Sequence, residues 1–187
     1  MNAVRLRDMH TDDAQELLVL NEANLPHVSS VSLSDIESFR RQACYFTIAE
    51  TDGTIAGFLL AFDPAADYGS PNFLWFKQRY ASFVYIDRII IAPHARKKGI
   101  ATRLYTDLEC FALRQGIPLM TCEYNIFPSN EESRLFHLKY GFEEVGTQET
   151  TGGRKTVSLQ IRQVNRAVLN SPLQDMGRLE RVSGIEK

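Results

Sequence analysis

The chain has 187 residues, 44% of them apolar and 24% charged, and a formal net charge of −2. A chain this long buries a core of its own, and the composition excludes a disordered chain, a collagen-like fibre and a disulfide-stapled mini-protein. The slight negative charge argues against tight nucleic-acid binding, and the longest strongly apolar stretch, Ile55 to Phe62, is too short to cross a bilayer.

Val4 to Arg7 alternates apolar and cationic residues like a short strand. Thr11 offers a helix N-cap, with Asp12 and Asp13 in a first turn whose dipole favours acid, and Ala14, Leu17, Leu18 and Asn21 follow at helical spacing. Asn21 to Leu33 reads as a loop around Pro26. Ser34 and Glu37 form a capping-box pair that opens a second helix to about Ala43. Tyr45 to Glu50 and Ile55 to Ala61 make a hairpin across the Asp52-Gly53 turn.

Residues 62–85 differ in composition. They hold eight of the 19 aromatics: Phe62, Tyr68, Phe73, Trp75, Phe76, Tyr80, Phe83 and Tyr85. Pro64, Gly69 and Pro71 break the first half, and Asn72 to Ala81 suits a short helix. Two readings stand level, a satellite core over a sheet edge and a wall of a ligand pocket. Val84 to Ile91 is the most strand-like run, and Ile89-Ile90-Ile91 suggests that both faces are covered. Gly99 to Gln115 predicts a helix with Ile100, Ala101, Leu104, Leu108 and Phe111 on one stripe, ended by Gly116. Leu119 to Tyr124 is another strand. Ser129 and Glu132 cap a helix that runs to Tyr140 and stops at Gly141. Glu143 to Thr150 and Thr156 to Gln163 form a hairpin around Gly152-Gly153. This divides the chain into one domain, residues 1–163, and a polar C-terminal tail, residues 164–187.

The first ten residues lack the apolar run of a secretory signal. Cys44, Cys110 and Cys122 are odd in number and widely spaced, and read as half-buried thiols of a reducing compartment. Both features lead to an expected cytoplasmic location. His10, His27, His94 and His137 lie apart from one another and from the cysteines, so no metal site is expected.

The chemistry-bearing segment is Ile91-Ala92-Pro93-His94-Ala95-Arg96-Lys97-Lys98-Gly99-Ile100-Ala101. A buried strand ends, a loop carries three cations, and a helix begins with small residues and free backbone N–H groups. Cations beside the positive end of a helix are locally unfavourable, and a bound phosphate would remove the conflict. The chain has no G-x-x-x-x-G-K-[ST], G-x-G-x-x-G or G-x-S-x-G motif.

Arg96 to Ala101 matches the [RQ]-x-x-G-x-[GA] signature of the GCN5-related N-acetyltransferases (GNAT). Asn130, with Phe136-His137 and then Gly141-Phe142, resembles that family's N-x-x-A-x-x-L-Y-x-x-x-G-F pattern. The order of elements from Val4 to Gln163 is also similar. The resemblance implies a mixed, mostly antiparallel sheet with a splayed parallel strand pair and helices on both faces. It implies that acetyl-CoA rests its pyrophosphate on Arg96, Lys97, Lys98, Gly99, Ile100 and Ala101, with Thr102 adding a hydroxyl. The pantetheine arm would pair with Ile89, Ile90 and Ile91 and touch Asn130. The splayed strands would be Val84–Ile91 and Leu119–Tyr124. Ala101 stands where Gly is commoner, which the pattern allows.

His137 stands where the family often has a Tyr that acts as general acid toward the leaving thiolate. Asn130, Ser133 and His137 share one helix face with Phe136 beside them, and a histidine that titrates near neutral pH is able to deliver that proton. An amine attacking the thioester directly must lose a proton, and the developing oxyanion needs a donor, for which backbone N–H near Ile89 serves. Asp87, mid-strand with Tyr85 and Ile89, is the first candidate base and Glu123 on the adjacent strand the second; for Asp87 an ion pair with Arg88 or another cation is a serious rival role. The expected function is acetyl transfer from acetyl-CoA to a primary amine of a small molecule through a ternary complex. The alternatives are a protein or peptide acetyltransferase and a non-catalytic CoA-binding module. No nucleic-acid or membrane partner is expected, and exposed strand edges leave a homodimer open.

Overall fold

A computed structural model describes residues 4–150 and 152–165. Residues 166–187, most of the expected tail, lie outside the described residues. In chain order the elements are β1 (Arg5–Asp8), α1 (Ala14–Glu22), α2 (Leu33–Gln42), β2 (Tyr45–Thr51), β3 (Thr54–Phe62), α3 (Pro71–Lys77), β4 (Val84–Ile91), α4 (Ile100–Arg114), β5 (Leu119–Phe127), α5 (Glu131–Tyr140), β6 (Glu143–Thr150) and β7 (Lys155–Gln163). The strands form one sheet in the order β1-β2-β3-β4-β5-β7-β6. Every neighbouring pair is antiparallel except β4 and β5, which are parallel. The mixed α/β architecture is the one the resemblance implies. Among the described residues no helix is long and apolar enough to cross a membrane.

The period of two along the central strands sorts their side chains between two faces. Tyr45, Ala49, Leu59, Ala61, Val84 and Ile86 pack with Ile100, Leu104, Leu108 and Ala112 of α4. On the opposite face Ile48, Phe58 and Ile90 pack with Leu17 of α1 and Ile36 of α2. Leu60, Phe62 and Tyr85 pack with Phe73 and Phe76 of α3. Helices therefore cover both faces, and fully burying each large apolar side chain contributes about 1.5–3 kcal/mol.

The helix starts differ from the sequence reading by one or two residues. The second helix is capped by Ser32, not Ser34: Asp35 N–H donates to Ser32 Oγ at 3.2 Å and Ser32 N–H donates to Asp35 Oδ2 at 2.8 Å. A serine two residues upstream with an Asp partner makes the same reciprocal box. Asn130, not Ser129, caps α5 and accepts from the Ser133 amide at 3.2 Å. Near the N-terminus Asp13 accepts from the His10 amide at 2.7 Å, and Thr11 to Asp13 form a 3-10 turn instead of the first turn of α1. The helix expected over Asn72–Ala81 spans Pro71–Lys77, because the Arg79 amide turns to the Phe76 carbonyl three residues back while the Arg79 side chain takes the Trp75 carbonyl at 3.0 Å. Strand β5 runs three residues beyond Tyr124, held by pairing with β7 as far as Phe127 opposite Thr156.

Two irregularities at β4 position the site. The β3–β4 register steps from Leu60–Arg88 to Ala61–Ile86, so Asp87 is an extra residue in a bulge. On the other side, β4 pairs with β5 only at Val84–Met120 and Tyr85–Thr121, after which the parallel strands part. Gly57, opposite Ile91, keeps β3 close to β4 there: a Cβ on it would lie 2.5 Å from the Ile90 carbonyl oxygen and 2.8 Å from Ile91 Cδ1. Gly57→Ala is expected to force the strands apart and lower stability by about 1–3 kcal/mol. Denaturant unfolding reads this as a lower midpoint, and an unchanged midpoint would contradict so close an approach.

Candidate active site

The parting of β4 and β5 opens a cleft of about 760 Å³. Its walls are the open edge of β4 from Ile86 to Ile91, residues Cys122 to Asn125 of β5, the turn into α4, the face of α5 and the loop after α1. Ile89, Ile90, Ile91, Arg96, Lys97, Gly99, Ile100, Ala101, Thr102, Asn130, Ser133, Phe136 and His137 all line it, with Asp87 and Glu123. Lys98, also implied by the motif, is not among the lining residues.

At one end the chain leaves β4 through a turn at Pro93–Ala95 and enters α4 at Ile100. Lys97 and Gly99 both have positive φ, 59° and 77°, which bends the loop around a concave backbone. The first bond into the helix runs from Arg103 N–H to the Gly99 carbonyl at 3.0 Å. The amides before Arg103 therefore have no intrahelical acceptor, and exposed Arg96 and Lys97 add positive charge beside them. This end suits a diphosphate.

Two carboxyl groups stand at the centre in opposite environments. Asp87 Oδ1 accepts from the Tyr68 hydroxyl at 2.5 Å, and Oδ2 accepts from Arg88 Nε at 2.6 Å. Neighbours on a regular strand point to opposite faces. The bulge brings Asp87 and Arg88 together, so the rival role foreseen for Asp87 is realised by its own neighbour. Arg88 is 6% exposed and donates onward to Asn21 Oδ1 at 2.7 Å, which ties the bulge to α1.

Among the described residues no cation pairs with Glu123. Oε1 accepts from Asn72 Nδ2 at 2.8 Å and from the Tyr85 hydroxyl at 2.9 Å, while Oε2 is shielded and has no hydrogen-bond partner among the described residues. Burial, reinforced by the charge of Asp87, pushes its pKa up to about 8 against the two hydrogen bonds that oppose the shift. A carboxyl raised toward neutral pH in a cleft is a candidate for acid–base chemistry.

His137 is 3% exposed. Nδ1 lies 2.8 Å from the Ser133 carbonyl, which only accepts, so Nδ1 carries the hydrogen. Nε2 is then the acceptor for the Tyr105 hydroxyl at 2.8 Å. Burial pushes its pKa down to about 4. A histidine that charges near neutral pH is the expectation, and burial here disfavours the charged form.

The aromatic segment 62–85 proves to be both things the sequence left level. Phe62, Phe73, Phe76 and Phe83 are fully buried, while Tyr68 and Asn72 face the cleft. Sequence reasoning missed Asn72 and Asn125 as site residues and named Arg88 only as a rival partner for Asp87. Asn72 reaches Glu123 from 51 positions away, and Asn125 lies on the part of β5 beyond the apolar run. The one available signal was the polar residue just after Pro71 in an otherwise aromatic stretch.

The acetyltransferase (GNAT) family model matches residues 6–142. Among solved structures the chain is similar to Ard1 from Thermoplasma volcanium, with a TM-score of 0.72 and 15% identity over 88% of this chain and 99% of that one. It is similar to the ribosomal-protein-S18-alanine N-acetyltransferase from Escherichia coli, with a TM-score of 0.65 and 14% identity over 87% and 94%. It is also similar to yncA from Salmonella typhimurium, solved with its cofactor acetyl-CoA, with a TM-score of 0.65 and 17% identity over 87% and 95%. At these identities the likeness is one of fold. Among curated proteins none matches the chain.

The Glu123 environment has a measurable consequence for stability. Between its ordinary value of 4.5 and about 8 the folded chain holds a proton that the unfolded chain has released, so this group's contribution falls as pH rises. Glu123→Gln removes that loss. The Tm of the variant relative to the wild type is expected to climb from about pH 5 to about pH 8, and a pH-independent difference would contradict the assignment.

Proposed function

The chain belongs to the GNAT family of acetyltransferases, and from that premise we propose that it moves an acetyl group from acetyl-CoA to a primary amine of a small molecule by direct attack in a ternary complex. The observation that carries the reading is the strand gap with the raised Glu123 carboxyl at its opening. Acetyl-CoA, bound, supplies the acetyl group as a thioester. Arg96, Lys97 and the amides of Gly99 to Thr102 hold its diphosphate. The open edge of β4 at Ile89–Ile91 offers the backbone groups for the pantetheine amides, and Asn130, the cap of α5, lines the same cleft.

Glu123, more than Asp87, is the general base. A base works best with a pKa near the working pH, and Glu123 has one oxygen free of partners. Both oxygens of Asp87 are already engaged. Asp87 is a positioning residue whose charge raises Glu123 and whose bonds fix Tyr68 and Arg88. His137, neutral and bonded at both nitrogens, positions Tyr105 and the α5 wall and does not deliver a proton. A thiolate with a pKa of about 8.5 leaves with little help.

The acceptor end favours a small substrate over a polypeptide. Lys155 Nζ donates to the Pro26 carbonyl at 2.9 Å, and Arg96 donates to Asn24 Oδ1 at 3.0 Å. The loop after α1 is thereby joined to the start of β7 on one side and to the phosphate loop on the other, so the cleft is bridged where a chain would have to enter.

CoA release measured with a panel of small primary amines and short peptides tests this. Small amines are expected to turn over, with kcat rising with pH through a limb near 8 as Glu123 loses its proton. Glu123→Gln is expected to lower kcat by about 10²–10⁴-fold. Turnover of peptides alone would transfer the reading to a peptide acetyltransferase. A larger kcat loss in Asp87→Asn than in Glu123→Gln would make Asp87 the base.

A further inference from the structure

Two polar atoms on one stretch of β5 have no hydrogen-bond partner among the described residues: Glu123 Oε2 and Asn125 Nδ2. Residues two apart on a strand face the same side, and both of these line the cleft. The Asn125 residue is 8% exposed. Its backbone is fixed, because its carbonyl accepts from the Asn130 amide at 2.9 Å. Its cross-strand neighbour is Val157, whose side chain offers no polar atom. A buried donor without an acceptor is unfavourable, and native chains seldom keep one without cause. Asn72, the other buried amide in the cleft, has both its nitrogen and its oxygen engaged, by Glu123 and Gln148. The unfilled pair is thus a carboxyl oxygen and an amide N–H side by side.

Resting on the acetyltransferase reading above, we propose that Asn125 reads the acceptor substrate: it donates a hydrogen bond to a neutral oxygen carried next to the amine-bearing carbon while Glu123 faces the amine. The strand repeat of about 3.3 Å per residue sets the two groups about 6.6 Å apart along β5. An amine and an oxygen on adjacent carbons fit between side chains that converge from that spacing. The oxygen is neutral because Asp87, and Glu123 once it has released its proton, share the cleft. The buried cation beside them, Arg88, is paired with Asp87, and the Lys155 ammonium at the mouth is on the Pro26 carbonyl. A substrate carboxylate at this depth would meet Asp87 and the ionised Glu123 with no unpaired buried cation beside it among the described residues. The substrate class is therefore small amino ethers, amino alcohols and amino amides.

The test uses two amines of the same shape, 2-methoxyethylamine and n-butylamine, which differ by an oxygen in place of a methylene. Their binding to the CoA-loaded protein is measured by calorimetry, and their turnover by CoA release, for the wild type, Asn125→Leu and Asn125→Asp. Comparing the ratio of the two amines across the three proteins cancels their different basicity. The wild type is expected to favour the oxygen-bearing amine by about 10- to 100-fold relative to the ratio in both variants. That preference in binding without any turnover would overturn the catalytic reading and leave the role of Asn125 standing. Equal binding of the two amines by the wild type, or a preference kept in the variants, would overturn the role of Asn125 even where turnover is brisk. Should Asn125→Leu fail to melt cooperatively, Asn125→Asp decides, since it keeps the size and replaces the donor by an acceptor.

Discussion

The structure depends on two parallel strands that pair for two residues and then separate. Backbone N–H and C=O groups along β4 from Ile86 onward lose their partner on that side, although β3 still holds the other. Each backbone group left dry and unpaired costs about 1–3 kcal/mol. Such an edge persists where water or a ligand backbone completes it. Gly57 and the packed α4 face keep β4 in place while β5 is held from its far side by β7. The gap is thus a rigid opening between two anchored strands.

Around that opening, burial does most of the electrostatic work. The same desolvation that raises Glu123 lowers His137, and it acts in opposite directions because one group is charged when deprotonated and the other when protonated. Only Asp87, matched with Arg88 and Tyr68, has a fixed counter-charge. The bulge creates that match, since without the extra residue the two neighbours would point to opposite faces. A local backbone irregularity therefore decides which carboxyl has a cation beside it.

Much of this was legible in the residues. The phosphate loop could be read because its conflict is local: cations beside a helix start, with Gly99 to relax the turn. The strand and helix order could be read because apolar periodicity is set by which face is buried. The helix starts at Ser32 and Asn130 were displaced because overlapping Ser, Asp, Glu and Asn residues offer more than one cap, and only the fold selects among them. The choice between Asp87 and Glu123 was not legible at all. It rests on the bulge and on Asn72 and Tyr85, which reach Glu123 from 51 and 38 positions away. The changed character of His137 was hidden for the same reason, since its burial against Tyr105 joins two helices 32 residues apart.

If a CoA thioester lies across the strand gap with its diphosphate on the start of α4, it shields the backbone of both segments from solvent. Amide hydrogen exchange with and without saturating CoA addresses it residue by residue. Slowed exchange is expected at Ile89–Ile91 and at Gly99–Thr102 together. Exchange unchanged at both segments, or slowed only on the outer faces of the helices, would contradict it.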